Sequence, residues 1–232
     1  MKKIAFTIVA ALLMAGTAIN ASAQSEESRP VSGYNGIASS GSFDVHVKID
    51  GTESLKIKGS SEAIRDIETD VENGKLRIRF KDRHGNHNYG RIDVYVTAKS
   101  LSSVANAGSG SVKVDGTVTG STVDIAVAGS GGVTATAKGG DLKANISGSG
   151  SVSLSGSANN TKINITGSGE LDAKGFKTEN VSANIAGSGG AFLEADKTVS
   201  ANIIGSGSVV YTGSASITNS RTIGSGRVSK AN

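Results

Sequence analysis

Five cations, Lys75, Arg77, Arg79, Lys81 and Arg83, alternate with Leu76, Ile78 and Phe80 in one run of this 232-residue chain. Alternation of this kind reads as a strand whose successive side chains point to opposite faces, so all five charges line one face. A row of cations suits an anionic glycan or lipopolysaccharide. The same row can instead keep an exposed strand edge from pairing with another chain. Asp93, on the strand begun by Arg91, is expected to pair part of this charge.

A second constellation is neutral. Asn145, Asn164, Asn184 and Asn202 each stand three residues before a Gly-Ser-Gly. Amides at one place in successive coils can hydrogen-bond to one another as a structural ladder, or they can offer a row of polar groups to sugar hydroxyls. The seven serines inside Gly-Ser-Gly, from Ser109 to Ser225, carry the same two readings. Seven equivalent serines are a poor signature for one nucleophile, because nucleophilic chemistry needs a base and an orienting acid within hydrogen-bond reach. The three histidines, His46, His84 and His87, all lie in the first half, away from those serines.

Other chemistries are disfavoured residue by residue. His84 and His87, with Asp82 nearby, fall in an expected hairpin tip and read as a solvated turn rather than as ligands converging on a metal. A calcium β-roll needs an Asp in nearly every repeat. Five residues after the first glycine of each repeat stand Lys113, Thr134, Ser153, Asp172, Phe192, Val210 and Ser229, one carboxylate in seven. Sugar cleavage needs a pair of carboxylates about 5 to 9 Å apart, and Glu170 with Asp172, like Glu194 with Asp196, reads as surface charge. The chain is therefore expected to be no enzyme and to use no cofactor or metal.

What positions these residues is the repeat itself. Gly-Ser-Gly begins at Gly108, Gly129, Gly148, Gly167, Gly187, Gly205 and Gly224, once per 18 to 21 residues. Two and four residues before it, and four and six after it, apolar residues alternate with Ser, Thr, Lys, Asp and Asn, as at Ile163, Ile165, Leu171 and Ala173. Such a period marks a solenoid in which each repeat is one coil and stacking buries the core. A second glycine column, eight residues on, runs through Gly116, Gly156, Gly175 and Gly213. Glycines this frequent would each cost about 1 kcal/mol in helices, so the coils are β-structure. The fold class is all-β, a parallel β-helix-like solenoid of 19–20 residues per coil.

At the start, Lys2 and Lys3, the apolar run Ile4 to Ala15, and Ala21-Ser22-Ala23 form a secretory signal peptide over 1–23. Residues 24–33 are expected to be a flexible lead-in and 34–232 one β-solenoid domain, strand-rich but irregular over 34–105 and regular over 106–232. The helical turn expected from Ser60 to Asp66 would be capped by Ser61. The irregular half could close off the open end of the solenoid. There is no cysteine, so neither a disulfide nor a lipidated cysteine is possible. Without Lys2 and Lys3, 22 basic residues face 20 acidic ones, too even a balance for a nucleic-acid footprint. No segment is a transmembrane candidate. Aromatics are 4% and tryptophan is absent, so the core should be thin, made of Ala, Ile, Val and Leu.

Tyr34-Asn35-Gly36-Ile37 leading into Ser40-Gly41-Ser42-Phe43-Asp44-Val45, then Gly74-Lys75-Leu76-Arg77-Ile78 and the Gly-Ser-Gly series, resembles the bacterial head GIN domain family over roughly residues 34 to 217. The family's name points to auto-transporter adhesins. The resemblance implies a right-handed parallel β-helix-like fold in a surface or periplasmic setting, and no catalytic residues. An auto-transporter needs a C-terminal barrel with strands of about 9–11 residues. The chain runs to Asn232 in the coil pattern, so it is not expected to translocate itself. Together these readings give an exported binding protein of the periplasm, outer surface or medium. Its expected partner is a glycan or other cell-surface ligand, or, as a structural module, another envelope protein.

Overall fold

The computed structural model describes residues 25–81 and 89–231. The first part holds β1 (Ser25–Arg29), β2 (Gly36–Gly41), β3 (Asp44–Ile49), β4 (Ser54–Gly59), α1 (Ser61–Asp66), β5 (Ile67–Glu72), β6 (Lys75–Phe80) and β7 (Asp93–Ala98). The coils follow: β8 (Ser103–Gly108), β9 (Ser111–Gly129), β10 (Gly132–Gly148), β11 (Ser151–Gly167), β12 (Glu170–Gly187) and β13 (Gly190–Gly205). Last come β14 (Ser208–Thr212), β15 (Ser216–Ile223) and β16 (Arg227–Lys230). The coils pair in parallel from β9 through β13 as a β-solenoid, in the class that the period predicts.

The glycine column is the corner of the rod. Gly41, Gly108, Gly129, Gly148, Gly167, Gly187 and Gly205 are register partners in turn. From Gly108 to Gly224 the first glycine of each motif has φ between +104° and +127°, a region L-residues avoid. That turn aims the next N–H along the rod. Ser149 and Ser168 donate to Gly129 and Gly148 of the preceding coil, each at 2.9 Å. The second glycine of the motif is required for space instead, since a Cβ on Gly189 would sit 2.6 Å from Ile165 Cγ2. Inside, Val127, Ile146, Ile165, Ile185 and Ile203 form one buried column and Val112, Val133, Val152, Leu171, Ala191 and Val209 another. Stacking like on like fills the interior in each parallel step of about 4.8 Å.

The first half departs from expectation in three places. Gly41-Ser42 continues the corner column, so β2 and β3 are already a coil, lying between β6–β7 on one side and β8–β9 on the other. The 24–33 lead-in is ordered in part, because β1 pairs antiparallel with β4 and Arg29 donates to the Ile64 and Ile67 carbonyls at 2.7 Å. The cap of α1 is Ser60, not Ser61: its hydroxyl accepts from Ala63 N at 3.1 Å, three residues on, as an N-cap does. With Ala63 and Ile64 buried, α1 lies against β1, β4 and β5 at the N-terminal end. Phe43 takes the place of the motif's second glycine in the first coil and packs against Phe80 at a tilt of 43°, and Phe80 stacks on Tyr89. Tyr89 in turn donates to the buried Asp66 at 2.6 Å.

Candidate functional site: the outer face of the coils

The basic strand is β6, and it is not an edge. It lies between β2, its parallel partner, and β5, its antiparallel partner. The β5–β6 hairpin turns at Asn73-Gly74, both at positive φ, and sets Glu68, Asp70 and Glu72 beside the cations. Arg79 Nη2 reaches Glu68 at 3.0 Å, its Nε lies 3.7 Å from Asp70, and Arg77 pairs with Glu72 and, at 3.9 Å, Asp70. Lys81 Nζ donates to the Arg65 carbonyl at 2.6 Å, while Lys75 is exposed opposite Glu72. Arg83, Asp82, His84 and His87 lie outside the described residues.

Asp93 does not serve this row. Asp93 sits in β7, which pairs with β3 and β4 rather than with β6, and there it meets Arg91 at 3.0 Å and His46 at 3.1 Å. Burial pushes its carboxyl up, but the hydrogen bonds from Arg91 and His46 outweigh that and hold it below the usual carboxylate range. The outer residues of β6 are thus largely matched within the protein.

The asparagine column is a ladder. Asn164 Nδ2 donates to Asn145 Oδ1 at 2.9 Å, Asn184 Nδ2 to Asn164 Oδ1 at 3.1 Å, and Asn145 Nδ2 to Asp124 Oδ1 at 3.3 Å. Asn202 is the register partner of Asn184 and lies exposed beside Arg221. A second ladder runs beside it. Asn160 donates to Asp141 at 2.9 Å, Asn180 to Asn160 at 3.1 Å, and the Thr198 hydroxyl to Asn180 Oδ1 at 2.7 Å. Its signal is in the sequence: Asp141, Asn160, Asn180 and Thr198 each stand seven residues before a Gly-Ser-Gly. The three-residue offset drew attention to one ladder and missed its twin.

Both ladders stand on the solvent face of β10 to β13. Along the second ladder runs an open groove of about 430 Å³, lined also by Lys143, Lys162, Ser182 and Ser200. An amide carries two N–H donors and two acceptor lone pairs. A rung in mid-ladder uses one donor and one lone pair on its neighbours, so each rung presents the other donor and lone pair to solvent. The seven Gly-Ser-Gly serines are all exposed at the corner. The acids of β12 and β13 are not gathered, since Glu194 pairs with Lys177 at 3.1 Å and Asp172 lies 3.9 Å from Lys174. Among the described residues no three His, Cys, Asp or Glu side chains converge as a metal site, and no helix is long and apolar enough to cross a membrane.

Solved structures share this architecture. A protein named a "putative adhesin" from Bacteroides fragilis NCTC 9343 matches with a TM-score of 0.80 at 23% identity, covering 90% of this chain and 97% of that one. A "putative lipid binding protein" from Parabacteroides distasonis ATCC 8503 matches with a TM-score of 0.70 at 25% identity, covering 90% and 97%. A "putative adhesin" from Parabacteroides merdae ATCC 43184 gives 0.70 at 21%, covering 90% and 96%. No curated protein matches. The family model described as "Putative auto-transporter adhesin, head GIN domain", which is not an enzyme family, matches residues 33–215. With most of its length under that one model, the chain belongs to the head GIN domain family.

Proposed function

We propose that this chain is an exported, non-enzymatic β-solenoid that acts as an adhesin, presenting the outer face of its coils to glycans on a cell surface. The observation that carries the reading is the pair of amide ladders on one wall, which repeats the same donor and acceptor at every coil. Sugars are recognised through such paired donors and acceptors, and a rigid β wall holds them without an ordering cost on binding. Export rests on the 1–23 leader, which lies outside the described residues.

A glycan array probed with the protein lacking residues 1–23 tests this reading. Binding that weakens on Asn164→Ala with Asn184→Ala supports it, and a protein that binds no glycan at any concentration reached overturns it. A second reading, a structural module of the envelope that contacts another protein, draws on a different surface. Ile204, Ile217 and Ile223 are 50%, 44% and 51% exposed, and Ile204 and Ile223 are register partners on β13 and β15. Loss of a defined envelope complex on Ile204→Ser with Ile223→Ser, in a protein without glycan affinity, would favour that alternative.

A further inference from the structure

We infer that the groove along the second amide ladder binds a linear acidic glycan laid along the rod, about one sugar per coil, with Lys143 and Lys162 receiving its carboxylate or sulfate groups. This rests on the glycan-binding reading above and assigns it a site, a ligand charge and a direction.

The charge comes from two lysines stacked in register, of which only Lys143 has an acid across from it. Lys143 and Lys162 are exposed register partners on the same face of β10 and β11. Strand neighbours lie about 4.8 Å apart, and like charges set directly opposite destabilise the pair. Neither lysine forms an ion pair with any described residue. Two carboxylates lie near. Asp124 is the register partner of Lys143 and accepts from Asn145, while Asp141 stands two residues before Lys143 and accepts from Asn160. Lys162 has only amides beside it on its own strand, Asn160 and Asn164, and Ser182 across from it on β12. The cations of β6, by contrast, have acids within reach. The groove is therefore a place on the coils where an outside anion can pair with two stacked cations.

The direction comes from the period. The groove offers the same set at each step, a second-ladder rung and then a lysine or serine, at Asn160-Lys162 and again at Asn180-Ser182, with a first-ladder rung two residues beyond. The step is about 4.8 Å, a spacing on the scale of one sugar ring in an extended 1,4-linked chain. An anion settles on the lysine end, and the following sugars meet Ser182, Ser200 and the spare amide donors and acceptors.

The test is calorimetric titration of the protein lacking residues 1–23 with three probes: a hexamer of β-1,4-linked glucuronate, glucuronate alone, and the neutral hexamer of β-1,4-linked glucose. The acidic hexamer should bind more tightly than either other probe. Its affinity should fall about tenfold or more in Lys143→Gln with Lys162→Gln, as expected for hydrogen bonds to charged groups. Lys162→Arg should retain binding, and Asn160→Ala with Asn180→Ala should weaken it while leaving the circular dichroism spectrum unchanged. Undiminished hexamer affinity in the double lysine variant overturns the inference, and so does monomer binding as tight as the hexamer's. Glycan binding that ignores Lys143 and Lys162 leaves the adhesin reading standing without this site. Failure to bind any glycan removes both.

Discussion

Replacing Gly167 by Ala tests the corner at its narrowest point. Gly167 has φ +112°, and a Cβ there would lie 2.5 Å from the Gly148 carbonyl oxygen. The backbone conformation alone costs about 1–3 kcal/mol for a residue with a Cβ. The clash adds to it, because the blocking atom is backbone and already accepts from Ser168 N at 2.9 Å. Opening the coils weakens that bond, worth about 1 kcal/mol. The sum is about 2–4 kcal/mol, or a melting point lowered by roughly 5–15 °C for a chain of this size. Gly175→Ala is the control: it belongs to a glycine column by sequence, but its φ is not positive and its nearest neighbour, Ser155 Cβ, is at 3.5 Å. Thermal melts followed by circular dichroism, with hydrogen exchange across β11 and β12, should separate the two. Equal melting points for Gly167→Ala, Gly175→Ala and the parent would refute the corner argument.

Two further outcomes concern charge. Reversing Arg77 and Arg79 to Glu sets new acids against Glu68, Asp70 and Glu72, so stability should drop by about 1–2 kcal/mol, more at low salt, since each exposed pair is worth only a few tenths to 1 kcal/mol. Adding Glu68→Lys with Asp70→Lys should restore it in denaturant melts, and a salt-independent loss would count against the ion pairs. Asp93 is held below its ordinary pKa by Arg91 and His46, so its contribution is present above about pH 4 and lost as pH falls through its lowered folded-state value. Asp93→Asn should therefore narrow the stability gap between pH 6 and pH 2, measured by urea unfolding, and an unchanged acid limb contradicts that pairing.

The solenoid was legible because period, alternation and glycine corners all state one thing. Each is a local property, and stacking in register adds no new information. The N-terminal half was less legible because its neighbours in space are not neighbours in sequence. β2–β3 sits between strands from later in the chain, so Gly41-Ser42 joins the corner column across 67 residues of separation from Gly108. The role of the β6 cations turned on the same point. Alternation placed Arg77 and Arg79 on one face, but only the hairpin through Asn73-Gly74 shows that Glu68, Asp70 and Glu72 share it. Neutralisation is a property of the pair of strands, and a single strand's pattern cannot carry it.

The ladders raise the question of whether an amide that is already hydrogen-bonded can also be a site, and Asn164→Asp answers it. Asn164 donates to Asn145 and accepts from Asn184. An aspartate keeps the acceptor and loses the donor, leaving a carboxylate oxygen against the Asn145 carbonyl oxygen. Flipping Asn145 relieves this contact only by breaking its bond to Asp124. The variant should lose about 1–2 kcal/mol at neutral pH, the cost of an unmatched polar contact. Protonation restores an O–H donor, so the new carboxyl's folded-state pKa is raised, and the deficit should vanish below about pH 4 and return as pH rises. If the ladder only holds the coils together, glycan affinity will follow stability and recover in acid. If its spare valences are the binding surface, affinity for a neutral sugar should stay reduced at pH 4, where the fold is whole again but the amide is gone. Stability equal to the parent at neutral pH would show that the ladder orients nothing, and the reading of the rungs as fixed donors and acceptors would fall with it.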